Sequence, residues 1–85
     1  MTERQPARIL IADDDRLVRH LCAELLREEG HEVHTVEDGP AALAALTERR
    51  YDLLLLDIWM PEMNGLEVLS NLAESPDRPL VIVLT

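Results

Sequence analysis

Three aspartates stand where a carboxylate is costly. Asp13 and Asp14 follow the apolar run "RILIA" (residues 8–12), and Asp57 follows "YDLLLL" (51–56). Four consecutive leucines read as a strand buried on both faces, and an uncompensated carboxylate at its end is penalised or driven to protonate. The chemistry open to such acids is nucleophilic attack by a carboxylate or the holding of a hard divalent cation. Carboxylates with room for water and phosphate oxygens suit Mg2+. The blander reading is helix capping, because acidic residues favour a helix start. Asp15, directly before Arg16, fits that role, and for Asp13 and Asp14 taken alone both readings stand open. Capping does not account for Asp57, which an eight-residue loop separates from the next helix.

These acids have to be positioned by the elements around them. Between Arg16 and Glu29 the apolar residues Leu17, Val18, Leu21, Cys22, Leu25 and Leu26 recur at helical spacing, and Gly30 supplies the stop. "HEVHTV" follows as a short, more polar strand suited to a sheet edge. Asp38, Gly39 and Pro40 open a second helix through about Arg49, with Ala41, Ala42, Ala44 and Ala45 for close packing. "YDLLLLD" is the central strand, and Pro61 and Gly65 punctuate the loop "IWMPEMNG". A third helix over about Leu66 to Ala73 carries Leu66, Leu69 and Leu72 on one face, and "LVIVLT" is a fourth strand.

The order βαβαβαβ leaves no room for hairpins and predicts an α/β class with a doubly wound parallel sheet. Ligands of such sheets bind beyond the carboxyl ends of the strands, where the strand order reverses. With the first and third strands as neighbours there, about 4.8 Å apart, Asp13, Asp14 and Asp57 meet. Their repulsion calls for a cation such as Mg2+.

Composition limits the alternatives. Eighty-five residues allow one domain, and 47% hydrophobic with 29% charged residues describe a soluble globular chain. No apolar run approaches the roughly 20 residues of a membrane span, and "MTERQPAR" lacks the apolar stretch of a secretory signal, so the cytoplasm is expected. A net charge of -9, from 17 acidic and 8 basic residues, argues against a nucleic-acid surface in this segment. The single cysteine, Cys22, excludes an internal disulfide and reads as a buried core thiol. His31 and His34, three apart on a strand, face opposite ways and do not suggest a metal pair. Arg49 and Arg50 read as complements to a helix dipole.

The pieces "ILIADDD", "DLLLLDIWMPEMNGLEVL" and "PLVIVLT", in that order, resemble the receiver domain of bacterial two-component response regulators, from Arg8 to Thr85. The resemblance implies a flavodoxin-like fold reduced to βαβαβαβ with strand order 2-1-3-4. Residues 1–7 would be a tail and 8–85 an incomplete receiver domain. Asp57 is implied as the phosphoacceptor, attacking the phosphohistidine of a sensor histidine kinase or phosphotransfer protein to form an acyl phosphate. Mg2+ is implied on Asp14 directly, on Asp13 through water, on Asp57, and on the backbone carbonyl of Trp59. Thr85 is implied as the switch hydroxyl, with Pro61 and Gly65 fixing the loop so that the Trp59 carbonyl faces the metal. Such a receiver promotes its own phosphorylation without being an enzyme in the ordinary sense.

The family continues past the position of Thr85 with a helix, a fifth strand ending in a lysine, and a fifth helix, and this chain contains no lysine. Without that cation, transfer and switching are expected to be impaired even if Mg2+ binds. "LVIVLT" is expected as an exposed apolar edge, and the first helix is expected to lack a companion on its face. A shortened chain, or a second copy covering the edge in a homodimer or swapped assembly, would account for both; any output domain lies outside the chain. Two function classes follow: a phosphoacceptor signalling module, or an interaction and assembly fragment that keeps the fold but not phosphotransfer. An aspartyl-nucleophile phosphatase would want a second acid two residues after Asp57, where Trp59 stands.

Overall fold

The computed structural model describes residues 5–60, 62, 64–73 and 75–84. In it the chain runs β1 (Arg8–Ala12), α1 (Arg16–Glu28), β2 (Glu32–Val36), α2 (Gly39–Glu48), β3 (Leu53–Leu56), α3 (Gly65–Leu72) and β4 (Leu80–Val83). Each helix begins on a side chain that satisfies its first N–H groups. Asp15 Oδ1 accepts from Leu17 and Val18, Asp38 Oδ1 from Ala41 and Asn64 Oδ1 from Glu67. Beyond α1 the chain turns through Gly30 at φ 94°, a conformation that favours glycine.

The four strands pair in parallel in the order β2-β1-β3-β4. Strand periodicity divides the apolar side chains between the two faces of the sheet. Ile9, Ile11 and Leu55, with Val33, pack against Ala23, Cys22 and Leu26 of α1. Leu10, Ala12, Leu54 and Leu56 pack against Ala42 of α2 and Val68 and Leu72 of α3. Burying each large aliphatic side chain contributes about 1.5–3 kcal/mol, so β1 and β3 anchor the molecule.

Several local expectations change. On α3 the buried stripe is Val68 and Leu72, four residues apart, whereas Leu66 is exposed. On α1 the inward side is Cys22, Ala23 and Leu26, while Leu17, Leu21 and Leu25 form a second apolar stripe open to solvent. Cys22 is half-buried rather than buried. His31 precedes β2 and its Nδ1 accepts from the Ala7 N–H at 3.0 Å, while His34 on β2 meets the Tyr51 hydroxyl at 2.7 Å. Arg49 is the extended C-cap of α2, whose last turn holds no basic residue, and Arg50 reaches Asp77 at 3.6 Å. As an edge strand, β4 leaves Leu80 77% exposed, with Ile82 and Val83 also open. No described helix is long and apolar enough to cross a membrane.

Candidate functional site

The register of the sheet places the acids. Ala12 pairs with Leu56, so Asp13 and Asp57 are the next residues on adjacent strands, and the Asp57 N–H donates to the Ala12 carbonyl at 2.9 Å. Alternation then aims them alike. Asp13 continues the side of Ile9 and Ile11, Asp57 continues that of Leu53 and Leu55, and both sides face α1. Asp14 follows in the loop and is exposed. One carboxylate oxygen from each of Asp13, Asp14 and Asp57 lies within 4.8 Å of the other two.

Asp13 (5% exposed) and Asp57 (8%) are the buried charged residues among those described. At an effective dielectric near 20, two like charges at such a separation repel by about 3–4 kcal/mol. Burial pushes the Asp13 carboxyl above its usual 3.8; the Asp15 N–H, 2.8 Å from Oδ1, opposes this, and the charges of Asp57, Asp14 and Asp15 push it up further. The donor set is three hard carboxylates without histidine or cysteine, which fits Mg2+ and not a soft metal.

The loop after β3 is built tightly around Asp57. The Trp59 N–H donates to Asp57 Oδ1 at 3.0 Å, orienting the carboxylate, while Trp59 as a residue is 73% exposed. The Gly65 N–H donates to the Ile58 carbonyl at 2.8 Å. A Cβ at Gly65 would lie 2.7 Å from Ile58 Cα and 2.8 Å from the Asp57 carbonyl oxygen, so α3 can start this close only on glycine. Glu62, at φ 69°, holds a left-handed conformation unusual for its type.

Among the expected site residues, the structure gathers Asp13, Asp14 and Asp57, seats Gly65 against the Asp57 backbone, and joins Trp59 to Asp57 through its N–H. Pro61 and Thr85 lie outside the described residues. One contact escaped sequence reasoning. Arg19 Nη1 donates to the Asp13 carbonyl at 2.8 Å, and Nη2 lies 3.7 Å from Glu37 Oε1. Its signal was a first turn of α1 that begins with arginine and holds no acidic residue, against the sense of the helix dipole.

Comparison with known proteins follows the same lines. A family model described as "Response regulator receiver domain" matches residues 9–85. The probable transcriptional regulatory protein TcrX of Mycobacterium tuberculosis is 36% identical over 80 residues, covering 93% of this chain and 34% of TcrX. This chain thus spans about a third of that relative's length. The chemotaxis response regulator CheY4 of Vibrio cholerae has a TM-score of 0.88 at 28% identity, covering 93% of this chain and 68% of that one. The response regulator TrrA of Thermotoga maritima, solved with Mg2+-BeF, has a TM-score of 0.83 at 41% identity, covering 89% of this chain and 66% of that one. TrrA has also been solved in complex with the histidine kinase ThkA.

Proposed function

Because this chain belongs to the response regulator receiver domain family, we propose that it is a phosphoacceptor module in which Asp57 takes a phosphoryl group from the phosphohistidine of a sensor histidine kinase or phosphotransfer protein. The observation that carries this reading is the meeting of Asp57 with Asp13 and Asp14, all within 4.8 Å, at the carboxyl end of the sheet. In the transfer a carboxylate oxygen of Asp57 attacks phosphorus, an O–P bond forms, and the N–P bond breaks. The released imidazole of the kinase takes up a proton. Phosphoryl transfer needs positioning and charge neutralisation more than covalent help.

The residues of this chain do the positioning. A hydrogen bond from the Asp57 N–H to the Ala12 carbonyl and one from the Trp59 N–H to its Oδ1 hold the nucleophile at the sheet edge. Asp13, Asp14 and Asp57, with the Trp59 carbonyl, would hold Mg2+, which when bound supplies positive charge for the phosphoryl oxygens. Gly65, seated on the Asp57 backbone, keeps the acceptor loop in place; Pro61 is assigned the same task and Thr85 the switch hydroxyl. The TrrA–ThkA complex supports a histidine kinase as partner. We place this activity in the cytoplasm, in residues 8–85, with residues 1–7 as a tail.

Incubation with Mg2+ and acetyl phosphate tests the reading, with intact mass measured for wild type and Asp57→Ala. A phosphoryl adduct on the wild type alone is expected, and no adduct on the wild type refutes phosphoacceptance by this chain. A second reading, an interaction and assembly unit without phosphotransfer, draws on the exposed Leu80, Ile82 and Val83 of β4. It requires a native mass above that of the monomer.

A further inference from the structure

α1 begins with Arg16 and carries Arg19 three residues further on, near the end where the dipole is positive. A cation is disfavoured there, yet the Arg19 side chain is only 13% exposed. A guanidinium with so little exposure requires partners. Arg19 has the Asp13 carbonyl at 2.8 Å and the Glu37 carboxylate at 3.7 Å. Glu37 is exposed and the pair is long, so solvent screens it and the short contact to Asp13 dominates.

That carbonyl belongs to the peptide joining Asp13 to Asp14. Asp13 is already held elsewhere: its N–H donates to the Val36 carbonyl at 3.2 Å, and its Oδ1 accepts from the Asp15 N–H. Since the peptide unit is planar, fixing the carbonyl also fixes the Asp14 N–H and the position of its Cα, the point from which its side chain departs. Asp14 is exposed, and its direction rests on the backbone that carries it.

We propose that Arg19 is a positioning residue for the acid site: by holding the Asp13 carbonyl it presets Asp14 for a divalent cation and thereby sets the affinity for Mg2+. The role rests on the metal site assigned above. It differs from simply tying α1 to β1, which would alter stability but not the affinity of the folded chain.

Arg19→Met keeps the apolar stem and removes the donors, whereas Arg19→Lys restores one. Mg2+ dissociation constants are read from the fluorescence of Trp59, the single tryptophan, and from the Mg2+-dependent rise in Tm of the full chain. The metal-free Tm records stability separately. Arg19→Met is expected to weaken Mg2+ binding about tenfold, as loss of a group behind a metal ligand does, with part recovered in Arg19→Lys. A constant for Arg19→Met within about twofold of wild type, whatever its Tm, overturns the proposal. Should Arg19→Met not fold, Arg19→Gln in trimethylamine N-oxide is judged by the same threshold. A wild type that shows no Mg2+ response by either readout removes the metal site itself, and the role of Arg19 with it. The wild-type titration therefore separates the two failures.

Discussion

The two ends of the sheet handle charge in opposite ways. At the amino end, Arg8 Nε and His34 Nε2 both lie 3.0 Å from Glu32 Oε2, and the Arg8 N–H donates to Asp52 Oδ2 at 2.8 Å. Arg50 reaches Asp77 at the same end. At the carboxyl end, three carboxylates gather within 4.8 Å, two of them buried. Beside them, Arg19 of α1 bonds a backbone carbonyl of the site. A fold that pairs charges at one end gathers like charges at the other, the arrangement on which the proposed cation site rests.

Substitutions at the two ends should respond in correspondingly different ways. Gly65→Ala puts a Cβ against the Asp57–Ile58 backbone and is expected to cost about 3 kcal/mol in urea denaturation. A cost below about 1 kcal/mol would mean that the acceptor loop yields easily. Mg2+ at about 100 times its dissociation constant should add about 2.7 kcal/mol to the wild type, and Asp14→Ala should remove that gain.

Asp13→Asn should stabilise the metal-free chain at pH 7 by about 1–2 kcal/mol, because it removes a buried charge while keeping an acceptor for the Asp15 N–H. The pH dependence has a definite sign. A carboxyl whose folded pKa lies above its unfolded value binds its proton more tightly in the folded chain, so its contribution is present below 3.8 and is lost as pH rises through the folded value. The advantage of Asp13→Asn should therefore shrink as pH falls towards 3.8, and an advantage that grows on acidification would contradict the assignment. The smallest effect belongs to the amino end. Glu32→Gln, on an exposed pair, should cost no more than about 1 kcal/mol and lose even that in high salt.

Much of this was legible before any coordinates. Unbroken apolar runs in β1 and β3, each ending in aspartate, dictate burial and adjacency, and a parallel order follows from the lack of hairpins. Asp15 caps α1 as its place before Arg16 suggests, whereas the shared face of Asp13 and Asp57 follows from the β1–β3 register, which residue types do not state. Other features were out of reach. Two apolar stripes on α1 share the helical period, so spacing alone could not turn Cys22, Ala23 and Leu26 inward and leave Leu17, Leu21 and Leu25 outside. Leu66 and Val68 on α3 posed the same choice. A contact such as His34 with Tyr51 joins residues on separate elements without a signature in residue type.

Sheet order also bears on the sequence of assembly. Contacts between β1 and β2 close 24 residues of chain, as from Arg8 to Glu32, whereas those between β1 and β3 close 44, as from Arg8 to Asp52. Closure entropy grows with length and non-local pairings form slowly, so the β1–α1–β2 unit is favoured to form before β3 docks. The acid cluster straddles β1 and β3 and comes into being only at that docking step. Its repulsion is thus a brake on folding, and a divalent cation should release it, hastening the chain's arrival at the native state as well as holding it there.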